Sequence, residues 1–252
     1  MIPTFLSILL VSPQPAFFDE NAYLVNVTYS DASGLVSIND IPAQRLQPGT
    51  SSSFQFQPHT LLRPGKNTIR FDGVAKEIAV SVSLVRVGSL PAEGKPVATL
   101  ERRGSASFRV PEAHLPDYPW HQGDTVQPND CALAKEQAEE MLKARTSHNA
   151  DAYLAASEVA LTTRALAFPR APLDRLKQMT RKKIERRFED TYVVETVGAT
   201  ACAIGASKKL LTVTKQGWHG YFVARDQEFG TSWVESYIFM KRDGKLLLTI
   251  IR

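Results

Sequence analysis

The sequence predicts two domains: an all-β sandwich, then an α+β domain of three helices and antiparallel strands. Three observations predict it. Residues 20–110 hold short β-branched and aromatic runs broken by Gly, Pro and Asn turns, with no helical period. Residues 129–188 carry apolar side chains at helical spacing, and strand-like runs resume to the C-terminus. Between the two lies a polar stretch punctuated by Pro111, Pro116, Pro119 and Pro128, which reads as a linker. The division is therefore 17–110 for the sandwich, 111–128 for the linker and 129–252 for the α+β domain.

The elements follow in order. Residues 22–29 and 35–38 are strands, the second entering the Asn39-Asp40 turn. Phe54-Gln55-Phe56-Gln57 alternates as a half-buried strand does. Residues 68–71, 78–87 and 106–110 complete the strand-rich half, and this spacing of short strands and turns is that of a β-sandwich. Asn129-Asp130 caps a helix from Cys131 to about Arg145, with Leu133, Gln137, Met141 and Leu142 beside the alanines on its apolar face. A second helix runs from Asn149 through about Ala167, ended by Pro169 and Pro172, and a third from Leu173 to Phe188. Strands are expected at 192–197, 200–204, 209–214, 220–225, 233–241 and 245–251. Asp243-Gly244 between the last two is a hairpin signal.

A chain of 252 residues, 43% hydrophobic and 22% charged, can bury a sizeable core. Its mean hydropathy of −0.19 excludes a polytopic membrane protein, and no integral span is expected after the N-terminal segment. The net charge is +4, and all of the excess lies beyond residue 120. That is too little for a dedicated nucleic-acid binder, so nucleic acid is not the expected partner. The apolar run 5–11, followed by Ser12-Pro13-Gln14-Pro15-Ala16, makes residues 1–16 either a signal peptide or a first strand. A signal places the protein in the periplasm or outside the cell, and its absence leaves it cytoplasmic. The first 44 residues contain no Lys or Arg, which argues against a signal.

Residues 130–252 resemble the NTF2-like superfamily. The resemblance is carried by the order of helices then strands, and by the ending Ser236-Tyr237-Ile238-Phe239-Met240-Lys241-Arg242-Asp243-Gly244-Lys245-Leu246-Leu247-Leu248-Thr249-Ile250. It implies three helices packed in the curve of an antiparallel sheet. It departs from the family pattern at Leu246, where an aromatic often follows the last turn, and no acid–base set carries over. Residues 20–110 are similar to immunoglobulin-like or carbohydrate-binding sandwiches, through the turn Leu62-Arg63-Pro64-Gly65-Lys66-Asn67. With the first helix of an NTF2-like domain packed on its sheet, Cys131 and Cys202 come within reach of a disulfide if the protein is exported. In a cytosolic protein they are buried thiols.

Recognisable reaction chemistry is missing. The five histidines have no ligand spacing, so no metal site is expected. No nucleophile elbow, phosphate loop or dinucleotide fingerprint occurs, and no cofactor is expected. The most unusual local cluster is Gly217-Trp218-His219-Gly220-Tyr221, which lines a pocket or forms a hairpin turn at the sheet edge. Arg181, Lys182 and Arg186 lie in a basic stretch of the third helix, either facing an anionic partner or forming a solvated face.

Three functions fit. The leading one is a non-catalytic binding protein of a bacterial cell envelope that contacts another protein, an immunity-type inhibitor being one version. Its contact residues would be Trp218, His219, Tyr221, Trp233, Arg181, Lys182 and Arg186, with aromatic anchors beside the basic helix. The second is an enzyme or ligand-binding protein using the cavity of the NTF2-like half, with Glu195, Asp226, Glu235 and His219 as candidate polar groups. The third is an assembly subunit that pairs through a sandwich edge.

Overall fold

The computed structural model describes residues 20–89, 93–185, 192–195, 198–215, 220–226 and 232–251, so segment 1–16 lies outside it. The fold is mixed α+β, built on antiparallel sheets.

The strand-rich half has six strands: β1 (Asn21–Ile38), β2 (Ile41–Leu46), β3 (Ser51–Phe56), β4 (Gly65–Arg86), β5 (Lys95–Leu100) and β6 (Gly104–Val110). They form one hydrogen-bonded sheet rather than the two of the expected sandwich. The reason is that β1 and β4 are continuous ribbons, where the sequence reads two shorter strands in each. They pair from Asn21↔Arg86 to Ile38↔Ile69. At one end β3 and β5 flank this ribbon, and at the other β2 and β6 do.

Residues 30–34, small and mostly polar, fall between two expected strands, yet they stay in the one strand. Asp31 takes a left-handed φ of 45° there, and Gly34 lies opposite Gly73. A Cβ on Gly73 would sit 2.2 Å from the carbonyl oxygen of Ser33, so the ribbon closes only around glycine. The buried positions also change parity across this step. Val25 and Val27 point inward before it, Val36 and Ile38 after it, and all four join one apolar cluster.

The helix-rich half begins with α1 (Asp130–Thr146), α2 (Ala150–Ala156), α3 (Glu158–Ala167) and α4 (Leu173–Glu185). The expected second helix is thus two. Ser157 leaves helical geometry, and its hydroxyl donates to the carbonyl of Tyr153 at 2.7 Å, which breaks the helix at a buried position. Asn149 caps α2 by accepting from the Ala152 N–H. Asn129 does not cap α1. Asp130 instead accepts from the Gln127 N–H and pairs with Lys241 at 2.8 Å. Leu133, expected on the apolar face, is 44% exposed, while Ala134, Ala138 and Met141 are buried.

The strands that follow are β7 (Tyr192–Glu195), β8 (Thr200–Ile204), β9 (Leu210–Lys215), β10 (Phe222–Asp226), β11 (Ser232–Glu235), β12 (Tyr237–Arg242) and β13 (Lys245–Ile251). They make a sheet ordered β13-β12-β9-β8 and another ordered β11-β10-β7, linked where β11 passes through Ser236 into β12. Asp243 and Gly244 both take positive φ in the tight turn between β12 and β13. Cys131 at the start of α1 and Cys202 in β8 form a disulfide with Cα atoms 6.0 Å apart. None of the described helices is long and apolar enough to cross a membrane.

The stretch 111–128 is anchored, which the polar composition of a linker did not announce. Tyr118 and Trp120 are buried and stacked 6.3 Å apart, in the cluster that also holds Val27, Leu210, Ile238 and Met240. The Asp124 N–H donates to the Lys241 carbonyl at 2.6 Å, and the Ala206 N–H to the Asn39 carbonyl at 2.9 Å. One apolar core therefore reaches from the first sheet into the second half.

A candidate site in the cleft between the two halves

A cavity of about 470 Å³ opens where β2 and the turn after β3 meet α3, α4 and the β11–β12 junction. Its size is that of a small-molecule site. Ala43, Gln44, Gln57 and Thr60 line it from the strand-rich half, while Leu161, Phe168, Ile184, Val234 and Ile250 supply apolar walls.

The charged groups and a tyrosine come from four elements. Glu235, the last residue of β11, lines the cavity and is only 5% exposed. Tyr153 of α2 donates its hydroxyl to Glu235 Oε1 at 2.5 Å. Glu235 Oε2 has no hydrogen-bond partner among the described residues. Lys183 of α4 and Arg164 of α3 line the same cavity, and both keep substantial exposure, so they stand towards solvent while Glu235 and Tyr153 lie deeper.

Helix packing sets this arrangement. The buried Arg145 at the end of α1 donates Nη1 to the Lys183 carbonyl at 2.9 Å, and His148 Nδ1 donates to the Ile184 carbonyl at 2.9 Å. These two bonds tie the end of α1 to α4. Arg181 of α4 pairs with Asp151 of α2 at 2.6 Å, and Lys177 of α4 with Glu158 of α3 at 3.0 Å.

The electrostatics follow from burial and from the single carboxylate. Burial, reinforced by Glu235, pushes the Tyr153 hydroxyl well above its ordinary range, so it stays a neutral donor. Tyr237 shifts the same way for the same reasons. Burial lowers the Lys183 ammonium, Glu235 pulls it back up, and Arg145 and Arg164 push it further down. Arg145, Arg164 and Lys183 thus act electrostatically on the groups beside the one buried carboxylate.

Only some of the residues expected to bind a partner lie among the described residues. Trp218, His219 and Arg186 lie outside the described residues. Of Trp233, Glu195 and Asp226 the backbone is described, on β11, β7 and β10. Tyr221 is 2% exposed, so it is no surface anchor. Its hydroxyl donates to Glu139 of α1 at 2.5 Å and its ring lies under the Lys215 ammonium. Arg181 is exposed but carries two ion pairs, to Asp151 and Glu185, and Lys182 is exposed beside it.

Of the cavity's charged groups, the sequence singles out Glu235, and Lys183 only as part of the basic stretch of the third helix. Arg145 had a signal, since it continues the spacing 134, 138, 141 of the buried face of α1. Among the described residues, no group of three or more His, Cys, Asp or Glu is placed to hold a metal ion. No protein-family model, curated protein or solved structure matches the chain.

Proposed function

We propose that the protein binds a small polar molecule in this cleft, with residues 17–110 and 129–252 acting as two lobes on either side. One observation carries the reading. Glu235 is buried at a cavity wall with one carboxylate oxygen held by Tyr153 and the other without a partner among the described residues. A buried acceptor left in that state costs about 1–3 kcal/mol, which a ligand donor would recover. The NTF2-like arrangement of 130–252 is part of this proposal and rests on the order of its elements. Equilibrium dialysis of the full chain against a cell extract, followed by mass spectrometry, tests the reading. The expected outcome is a retained low-molecular-weight compound whose retention falls in Tyr153→Phe and Glu235→Gln. No retained compound overturns it.

A protein partner is the second reading, favoured by Met179, which is 56% exposed on α4 in the same helix as the exposed Lys182. An apolar residue in a basic setting suits an acidic protein surface. Affinity capture by wild type but not by Met179→Asp would support it, and equal capture by both would reject it.

A further inference from the structure

We infer that the ligand is a hydroxylated acid, a small molecule bearing a carboxylate or phosphate at one end and a hydroxyl at the other. This rests on the cleft being a ligand site. The cavity is polarised along its depth. Arg164 and Lys183 line it with much of their surface exposed, and Glu235 and Tyr153 lie buried.

Charge decides which end enters first. An anionic group driven inward would meet the Glu235 carboxylate, and the two would repel. Left outward, it lies with Arg164 and Lys183, and Arg164 makes no ion pair among the described residues. A guanidinium at such a position suits carboxylate and phosphate equally, since both accept its paired N–H groups.

Charge also decides the inner group. Glu235 Oε2 needs a donor, which an ammonium or a hydroxyl could supply. Arg145, Arg164 and Lys183 already outnumber the one carboxylate, and all three act electrostatically on the groups around it. A fourth cation would be repelled, while a hydroxyl donates to Oε2 without adding charge. Phe168 and Ile184 also line the cavity, so a carbon skeleton has apolar walls to pack against.

The test is calorimetric titration of the full chain with two matched pairs of probes. 4-Hydroxybutyrate and butyrate differ by one hydroxyl, and glucose 6-phosphate and glucose by the phosphate. 4-Hydroxybutyrate should bind at least about tenfold tighter than butyrate, or glucose 6-phosphate than glucose, because a site that accepts from a hydroxyl rejects the analogue lacking it and a cationic mouth rejects the neutral one. Which pair discriminates tells carboxylate from phosphate. Arg164→Gln and Lys183→Gln should weaken the bound acid and flatten its salt dependence, and Glu235→Gln should narrow the gap between 4-hydroxybutyrate and butyrate. The wild-type comparison stands even if a variant fails to fold. No binding of either acid, or equal affinity within both pairs, overturns the assignment. A neutral or cationic compound retained in dialysis overturns it too but leaves the cleft as a ligand site, whereas an empty dialysis result removes both.

Discussion

The imidazole of His59 stacks 5.5 Å from the ring of Phe168, joining the turn after β3 to the end of α3. His59 is buried, and its Nε2 accepts from the Tyr23 N–H at 3.1 Å, which requires that nitrogen to be unprotonated. Burial pushes its pKa down to about 4. A histidine whose folded pKa is depressed stabilises the fold above its unfolded pKa and loses that contribution as pH falls. The loss begins near pH 6.5, and by pH 4 it amounts to about 3 kcal/mol. Burial lowers His114 and His121 as well, so they add slope of the same sign. Urea unfolding at pH 7 and at pH 4.5 should show this loss, reduced in His59→Gln. An unchanged slope in the variant would clear His59 of the effect.

The disulfide makes a second prediction. Cys131 and Cys202 enclose a separation of 71 residues, and a loop of that size restrains the unfolded chain by about 4 kcal/mol. Replacing both with serine should lower the melting temperature by an amount that adding reductant to the wild type reproduces. Free thiols in unreduced protein, found by alkylation and mass spectrometry, would contradict the pairing.

Local chemistry was legible in the sequence wherever it decided the structure. Asp243-Gly244 set the last hairpin, and Met141 and Leu142 with the alanines marked the buried face of α1, though Leu133, read onto the same face, is exposed. Tertiary choices were not legible. Residues 30–34 have turn composition, but pairing with the Gly73 region holds them in one long strand. Ser157 looks like an ordinary helix residue, and only its burial makes its hydroxyl turn back on the helix. At the site, Glu235 stood out as a charge among strand residues. Lys183 did not, because nothing local tells which of Arg181, Lys182 and Lys183 meets the cavity. That is settled by Ile184, whose burial turns this end of α4 towards the core.

The shared apolar core predicts that the two halves unfold together. Trp120 packs with residues of both sheets, so Trp120→Ala should cost about 3–5 kcal/mol, felt across the whole chain. Far-UV circular dichroism and tryptophan fluorescence should report one coincident transition. Two separate transitions, or stable fragments after proteolysis within 111–128, would mean that the shared cluster does not couple the two lobes.

The Tyr153–Glu235 hydrogen bond makes the last prediction. Tyr153→Phe removes the hydroxyl that serves Glu235 Oε1 and keeps the ring, so both carboxylate oxygens are left in a buried place without a protein donor. The expected cost is about 1–3 kcal/mol of stability. It should come from the lost bond and not from packing, which a double-mutant cycle separates. In a Glu235→Leu background the carboxylate is gone, and the same Tyr153→Phe change should then cost less than about 0.5 kcal/mol. Denaturant titration of the four proteins measures the difference. Equal costs in the two backgrounds would show that the bond contributes nothing to the fold.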